Sequence, residues 1–357
     1  MEGIVRAAGL PDAGSGPVPG RGQHPSGTGR ADGGAVGSGG GGLPARGPGF
    51  DRAVAPGGYC WWYVDALSDD GRHGLTLIAF VGSVFSPYYA LARRRGTADP
   101  EHHCALNVAL YGEGGKRWSL TERGRNDLRR DAASFAVGPS ALRWDGGTLT
   151  VAIDEVTVPL PSRLRGTVRL TAPALTDFEV RLDPAGRHRW WPICPAARVE
   201  VRMERPALRW SGAAYFDTNS GDEPIEDGFS SWDWSRGALP GGGAAILYDA
   251  QPRQGPRRPV AARFDAQGRA TPFEPPPRVP LPTTTVWRIR RGTQADAGAA
   301  AKVVRTLEDT PFYARSLVAT TLEGQSLEMV HESLSLDRFR QPWVQLLLPF
   351  RMPRRAR

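Results

Sequence analysis

From about residue 57 onward, short runs of apolar/polar alternation, each closed by a turn, dominate this chain and limit what it can fold into. In DFEVRLD (177–183), Phe178, Val180 and Leu182 share one face of an extended segment and the charges share the other. ARVEVRME (197–204) does the same with Val199, Val201 and Met203. TLTVAIDEVTVPL (148–160) alternates twice, and its phase breaks at Asp154–Glu155, where a bulge fits. AAILYDA, PVAARF, TTVWRI and the run from Ala314 to Leu336 continue the texture, punctuated by Asp145-Gly146-Gly147, Gln267-Gly268 and Glu323-Gly324. Helical periodicity is scarce, and the best helix candidate is Asp296–Leu307. Many short antiparallel strands without a βαβ rhythm predict an all-β sandwich or barrel.

Residues 1–50 differ. They hold 17 glycines and a single aromatic residue, Phe50, too little apolar surface to offset chain entropy, so a disordered tail is expected there. Its composition lacks the apolar run of a secretory signal. Two internal echoes, ALRWDG (141–146) with ALRWSG (207–212) and SPYYA (86–90) with TPFYA (310–314), suggest two similar β domains, 51–205 and 206–357, with the boundary near Arg205–Pro206.

The net charge of +8 raises nucleic acid and anionic membrane as partners. No RNA-binding signature or Cys/His finger spacing is present, which sets nucleic acid aside. The basic cluster RMPRRAR (351–357) suits a membrane surface, or a frayed basic end. No apolar stretch reaches the length of a membrane-spanning helix. Cys60, Cys104 and Cys194 are odd in number and form no CxxC, pointing to a reducing compartment rather than a disulfide framework or zinc site.

No metal motif survives inspection. Asp217-x-Asn219-x-Gly221 begins like a calcium loop, but Asp222 and Gly228 occupy the positions where such a loop needs Gly and Glu. His102-His103-Cys104 is too compact for a zinc cage. The aromatic residues say more. Eleven tryptophans include the pairs Trp61-Trp62 and Trp190-Trp191 and the spaced pair Trp232-x-Trp234. Adjacent residues of a strand face opposite ways, so one member of each pair can line an interior suited to a long apolar or π-rich ligand. Trp62, Trp191, Trp232 and Tyr88 are the candidates for such a lining. In AAYFD, Tyr215 and Asp217 share a face; turned inward, Asp217 would sit among aromatic rings, where burial favours its neutral form. The same aspartate also suits the start of a turn. The four carboxylates after it (Asp222, Glu223, Glu226, Asp227) are expected to face water. His188, beside the Trp190-Trp191 pair, is placed to meet Asp217 across a hairpin.

Several long blocks together resemble the carotenoid 1,2-hydratases, also called hydroxyneurosporene synthases. They are GGYCWWYVDALSDDGRHGLTLIAFVGSVFSPYYALARRRG (57–96), HCALNVALYG (103–112), RWSLTERGR (117–125), HRWWPICPAARVEV (188–201), SGAAYFDTNSGDEPIEDGF (211–229), RTLEDTPFYARS (305–316) and VHESLSLDRF (330–339). The resemblance implies two lipocalin-like antiparallel β-barrel domains with few helices. It implies a cofactor-independent hydration of the terminal C1=C2 bond of acyclic carotenes such as neurosporene and lycopene. It places the family's active residues on His188, Trp190, Tyr215 and Asp217. Chemically, neutral Asp217 would protonate C2, Tyr215 and Trp190 would face the cation at C1, and a held water would attack. His188 would take the water's proton or orient Asp217. The substrate dissolves in lipid, so the expected location is cytoplasmic and peripheral on the inner, photosynthetic membrane. A carotenoid or lipid carrier without catalysis is the alternative. A β-sandwich glycosidase fits less well, because only Asp217 looks inward.

Overall fold

The computed structural model describes residues 47–355, and the expected tail therefore falls outside the described residues except at its end. That end is structured. Phe50 is buried with its ring 5.1 Å from that of Trp62, and the Trp62 indole donates to the Pro48 carbonyl at 3.0 Å. Gly47 adopts a positive φ, and a Cβ there would lie 2.5 Å from the Trp144 ring, so glycine is required for this close approach.

The described chain is all-β and lipocalin-like. A 14-stranded sheet and a seven-stranded sheet carry most of it, with a two-stranded sheet of Arg278–Leu281 and Arg291–Gln294. The large sheet is built around Tyr59–Ser68, which pairs antiparallel with His73–Val81 on one side and Leu208–Gly221 on the other; Leu208–Gly221 pairs in turn with His188–Arg205. Phe229–Leu239 pairs with Gly243–Pro252 and Gln325–Ser335 at the centre of the smaller sheet. Arg205–Pro206 lies in the hairpin between His188–Arg205 and Leu208–Gly221, two strands of one sheet. The change of sheet comes later, between Gly221 and Phe229.

The period-2 pattern divides the tryptophan pairs as strand geometry requires. Trp62, Val64, Trp191 and Phe216 enter a core on one face of the large sheet. Tyr59, Trp61, Tyr63, Trp190 and Tyr215 enter a second core on the other face, shared with Trp232, Trp234 and Tyr248 of the smaller sheet. Two sheets packed face to face thus enclose an aromatic interior.

The helix expected at Asp296–Leu307 is not formed. Lys302–Asp309 is a strand paired with Tyr313–Leu322, and Val303-Val304 explains the preference, since β-branched side chains favour a pleated surface. Asp296 instead accepts from the backbone N–H of Glu323 and Gly324 at 2.8 and 2.7 Å. TTVWRI is likewise no strand, and within it Trp287 stacks on Trp343 at 5.9 Å.

Candidate active site

Tyr215, Asp217 and Asn219 occupy alternate positions of Leu208–Gly221 and so share the inward face. Across the neighbouring strand, Asp65 is in register with Tyr215, Tyr63 with Asp217 and Trp61 with Asn219. On the other side Trp190 is in register with Asn219. Four aromatic residues, Tyr215, Tyr63, Trp61 and Trp190, therefore surround one carboxyl by sheet geometry alone.

Asp217 is 4% exposed and lines a cavity of about 400 Å³. Its Oδ2 accepts the Tyr215 hydroxyl at 2.6 Å and the Trp190 indole N–H at 3.0 Å. Oδ1 has no hydrogen-bond partner among the described residues. Burial pushes the carboxyl up to about 8, against the opposing pull of the two donors. Such a geometry fits the neutral acid: a carbonyl-like Oδ2 would accept both bonds and Oδ1 would carry the proton.

The cavity walls are largely aromatic: Trp61, Tyr63, Trp232, Trp234 and Tyr248 face it. The Trp234 ring lies 5.0 Å from that of Tyr215 and 5.6 Å from that of Tyr63. Further polar residues reach the lining, among them Thr76, Asn107, Asn219, Glu308, Asp309 and Glu332. Asn219 Nδ2 donates to the Tyr248 hydroxyl at 2.9 Å. Glu332, from Gln325–Ser335, accepts Tyr63 at 2.7 Å and Tyr313 at 2.8 Å and is paired with Arg315. Arg315 also meets Asp65, which holds Arg236 at 2.6 Å. Buried charges of both signs are thus matched, as burial demands.

The structure brings Asp217, Tyr215, Trp190 and Trp232 together but gives the other expected residues different places. His188 is fully buried, with Nδ1 2.9 Å from the Tyr59 hydroxyl and Nε2 3.2 Å from Glu223, so its ring nitrogens do not meet Asp217. Burial pushes its imidazole down from the ordinary value. Gly221 and Gly228 make room for it: a Cβ at either would lie within 2.7 Å of the ring. Tyr59 connects it to the cavity, since its ring stacks on Trp61 at 4.9 Å. Trp62 and Trp191 belong to the opposite core, where the Trp191 indole donates to the Thr176 carbonyl at 2.9 Å. Tyr88 is half-buried outside the cavity lining, with the Arg354 guanidinium 5.9 Å from its ring. The acidic turn is not simply solvated either: Glu226 pairs with Arg93 at 2.6 Å in a largely buried contact, and Glu223 meets Arg187 and His188. Among the described residues no cluster of His, Cys, Asp and Glu is arranged to hold a metal ion.

Fold and site together define a lipocalin-like β protein whose aromatic chamber holds a buried carboxyl, Asp217, raised above the ordinary carboxylate range by burial. Residues 77–357 match the family described as carotenoid hydratase CrtC, and the chain belongs to that family. It is 59% identical over 354 residues to the acyclic carotenoid 1,2-hydratase of Thiocapsa roseopersicina, covering 99% of this chain and 87% of the relative. It is 55% identical over 311 residues to the enzyme of the same name from Rubrivivax gelatinosus, covering 87% of this chain and 76% of the relative. Its fold is similar to a crystal structure of a Nitrosomonas europaea protein described as AttH, with a TM-score of 0.54 and 17% identity over 78% of this chain and 92% of that one. The chain is accordingly an enzyme of the hydro-lyase kind.

Sequence reasoning missed Trp61, Tyr63, Trp234, Tyr248, Asn219 and Glu332. Parity supplied a usable signal for the first two: once Asp217 faces inward, an adjacent antiparallel strand must offer one parity of residues to the same face. Glu332 carried no such signal, because it arrives from the other sheet.

Proposed function

We propose that this chain adds water across the terminal C1=C2 bond of acyclic carotenes, neurosporene and lycopene among them. The observation that carries the reading is the unpartnered Oδ1 of a neutral Asp217 inside an aromatic cavity. An isolated trisubstituted alkene is a weak base, so its hydration needs a positioned acid and a shielded tertiary cation. Asp217 Oδ1–H gives its proton to C2. The electron pair of the double bond forms the new C–H bond, leaving the cation at C1.

Trp190 and Tyr215 act differently from the sequence expectation. Their polar hydrogens are directed at Asp217 Oδ2, so they stabilise the carboxylate as it forms. The rings of Trp234, Tyr63 and Trp61 are the faces available to the cation, an attraction that strengthens where water is scarce. A water then bonds to C1 and loses a proton. His188 supports this wall through Tyr59 and Trp61.

The substrate is about as long as the hydrocarbon core of a bilayer is thick, roughly 30 Å, so delivery requires contact with lipid. Leu347 and Phe350 line the cavity and are also exposed at 39% and 72%. They lie in QPWVQLLLPF (341–350), which carries no charge and is flanked by Arg338 and Arg340 before it and Arg351, Arg354 and Arg355 after it. This pattern supports peripheral docking on an anionic membrane, with the apolar segment in the interface and the arginines at the headgroups. We place the enzyme on the cytoplasmic face of the inner, photosynthetic membrane.

The test is incubation of the purified protein with lycopene or neurosporene in liposomes prepared in H₂¹⁸O. A tertiary alcohol carrying the label supports hydration. Bound carotene recovered without label would make the chain a carrier.

A further inference from the structure

We propose that Glu332 is the base that removes the proton from the attacking water, so that each sheet supplies one carboxyl to the reaction. The inference rests on the hydration reading and extends it to the second half of the chemistry.

Four carboxyl groups line the cavity: Asp217, Glu308, Asp309 and Glu332. Glu308 is paired with Lys116 and Asp309 accepts the Val286 backbone N–H, whereas Asp217 and Glu332 are linked through Tyr63 and have opposite surroundings. Asp217 has no cation among its hydrogen-bond partners and two neutral donors. Glu332 has the buried Arg315 guanidinium as ion-pair partner and accepts two tyrosine hydroxyls on the same oxygen, Oε1. Around it two carboxylates, Asp65 and Glu332, balance two guanidiniums, Arg236 and Arg315. One acid and one carboxylate in a shared chamber is the arrangement acid–base chemistry needs, because neither group can do both tasks at one pH. The charge on Glu332 also helps keep Asp217 protonated, secondary to burial.

Placement agrees. Asp217 comes from Leu208–Gly221 of the large sheet and Glu332 from Gln325–Ser335 of the small one, and both line the same cavity. Tyr63 joins them: it is in register with Asp217 and donates to Glu332. Trp234 is in register with Glu332 and faces Tyr215. An alkene end resting on Tyr63 and Trp234 would have the acid toward one sheet and the base toward the other.

The step balances with water alone. The Asp217 O–H bond breaks and a C2–H bond forms. A water lone pair forms the C1–O bond, and one water O–H bond breaks with its proton going to Glu332. After the alcohol leaves, Glu332 releases that proton and Asp217 regains one from water entering the cavity. Tyr63, Tyr313 and Arg315 stay as they were and hold the Glu332 carboxylate in place.

The experiment separates a base from a structural group by following two fates of the cation. In D₂O, Asp217 delivers deuterium to C2. The cation then either takes water or loses a neighbouring proton and returns as deuterated alkene. In Glu332→Gln, hydration of lycopene in liposomes should fall by about 100-fold or more. Deuterium in recovered alkene, per molecule of alcohol formed, should rise. In Asp217→Asn both processes should stop. A Glu332→Gln variant that binds carotene, with hydration and exchange reduced in parallel or neither reduced, overturns the assignment. If that variant does not fold, Glu332→Asp decides instead: a raised exchange-to-hydration ratio supports the base, and an unchanged ratio rejects it. Failure of the wild-type chain to hydrate any acyclic carotene would refute the parent reading, a result distinct from either.

Discussion

Tyr215 donates its hydroxyl to Asp217 Oδ2 at 2.6 Å from two positions earlier on the same strand face. The bond occupies the oxygen that does not carry the reactive proton, and it is worth most when Asp217 has become an anion. Tyr215→Phe should therefore weaken the acid without emptying the cavity. We expect kcat to fall by about 10- to 100-fold, in line with loss of one donor to a developing anion, with KM changed much less. The donor pulls the Asp217 carboxyl down against burial, so its removal should move the alkaline fall-off in kcat to higher pH. A pH–rate profile of wild type and variant checks both; a fall-off at unchanged pH would detach Tyr215 from the acid.

The same carboxyl makes stability depend on pH in an unusual direction. Its folded-state value is about 8, above the ordinary unfolded value of about 3.9. Between those pH values the folded chain holds one proton more than the unfolded chain, so the contribution of Asp217 is complete below about pH 4 and is lost as pH rises toward 8. The whole loss is of the order of 5 kcal/mol. Asp217→Asn should remove this slope: urea midpoints of the two proteins should diverge from pH 5 to pH 8, with the variant the more stable at the upper end. Parallel curves would place the carboxyl in contact with water.

Trp234 lies against both Tyr215 and Tyr63 and faces the cavity. In the proposed chemistry its ring face meets the cation at C1. Trp234→Leu keeps apolar bulk and removes the quadrupole, so kcat should drop by roughly 30-fold, equivalent to about 2 kcal/mol for a desolvated cation–π contact, with carotene binding retained. Trp234→Phe should recover part of it. Equal activity of the Leu and Phe variants would mean that the site uses the volume of this side chain and not its π-face.

Much of this architecture was legible because strands write their faces into the sequence at period 2. The alternations at 177–183 and 197–204, the inward pair Tyr215 and Asp217, and the partition of each Trp pair all follow from that rule. The rule does not say which member of a pair faces which core, and so Trp62 and Trp191 were assigned to the wrong side. Nor does it reach across sheets. His188 and Asp217 lie on adjacent strands, but the histidine side chain is sealed between Tyr59, Phe229 and two glycines, contacts set by the turn at 222–228. Glu332 was invisible because its partners Tyr63 and Arg315 are 269 and 17 residues away. The helix expected at Asp296–Leu307 gives way to strand pairing with Tyr313–Leu322.

The exposed apolar residues beside the cavity lead to a prediction about delivery rather than chemistry. Leu346 is 73% exposed and Phe350 72%, and the segment that bears them contributes Val344, Leu347 and Leu348 to the cavity lining. A surface of this kind is costly in water and favourable in a lipid interface, where each large side chain contributes about 1.5–3 kcal/mol on burial. Leu346→Glu and Phe350→Glu change exposed side chains and should leave the fold intact. Both should reduce binding to liposomes containing anionic lipid by about tenfold or more, and turnover of liposome-borne lycopene should fall in proportion. With the same carotene offered in detergent micelles, turnover by the Leu346 variant should approach that of the wild type, because Leu346 stands outside the cavity lining, whereas Phe350 is part of it. Arg340→Glu and Arg355→Glu, at exposed positions, should weaken binding to anionic vesicles but hardly alter binding to neutral ones, since their contribution is electrostatic and screened by salt. Vesicle cosedimentation at low and high salt, run beside the turnover assay, reads all four variants. Unchanged cosedimentation in the Leu346 and Phe350 variants would move the docking surface elsewhere on the molecule.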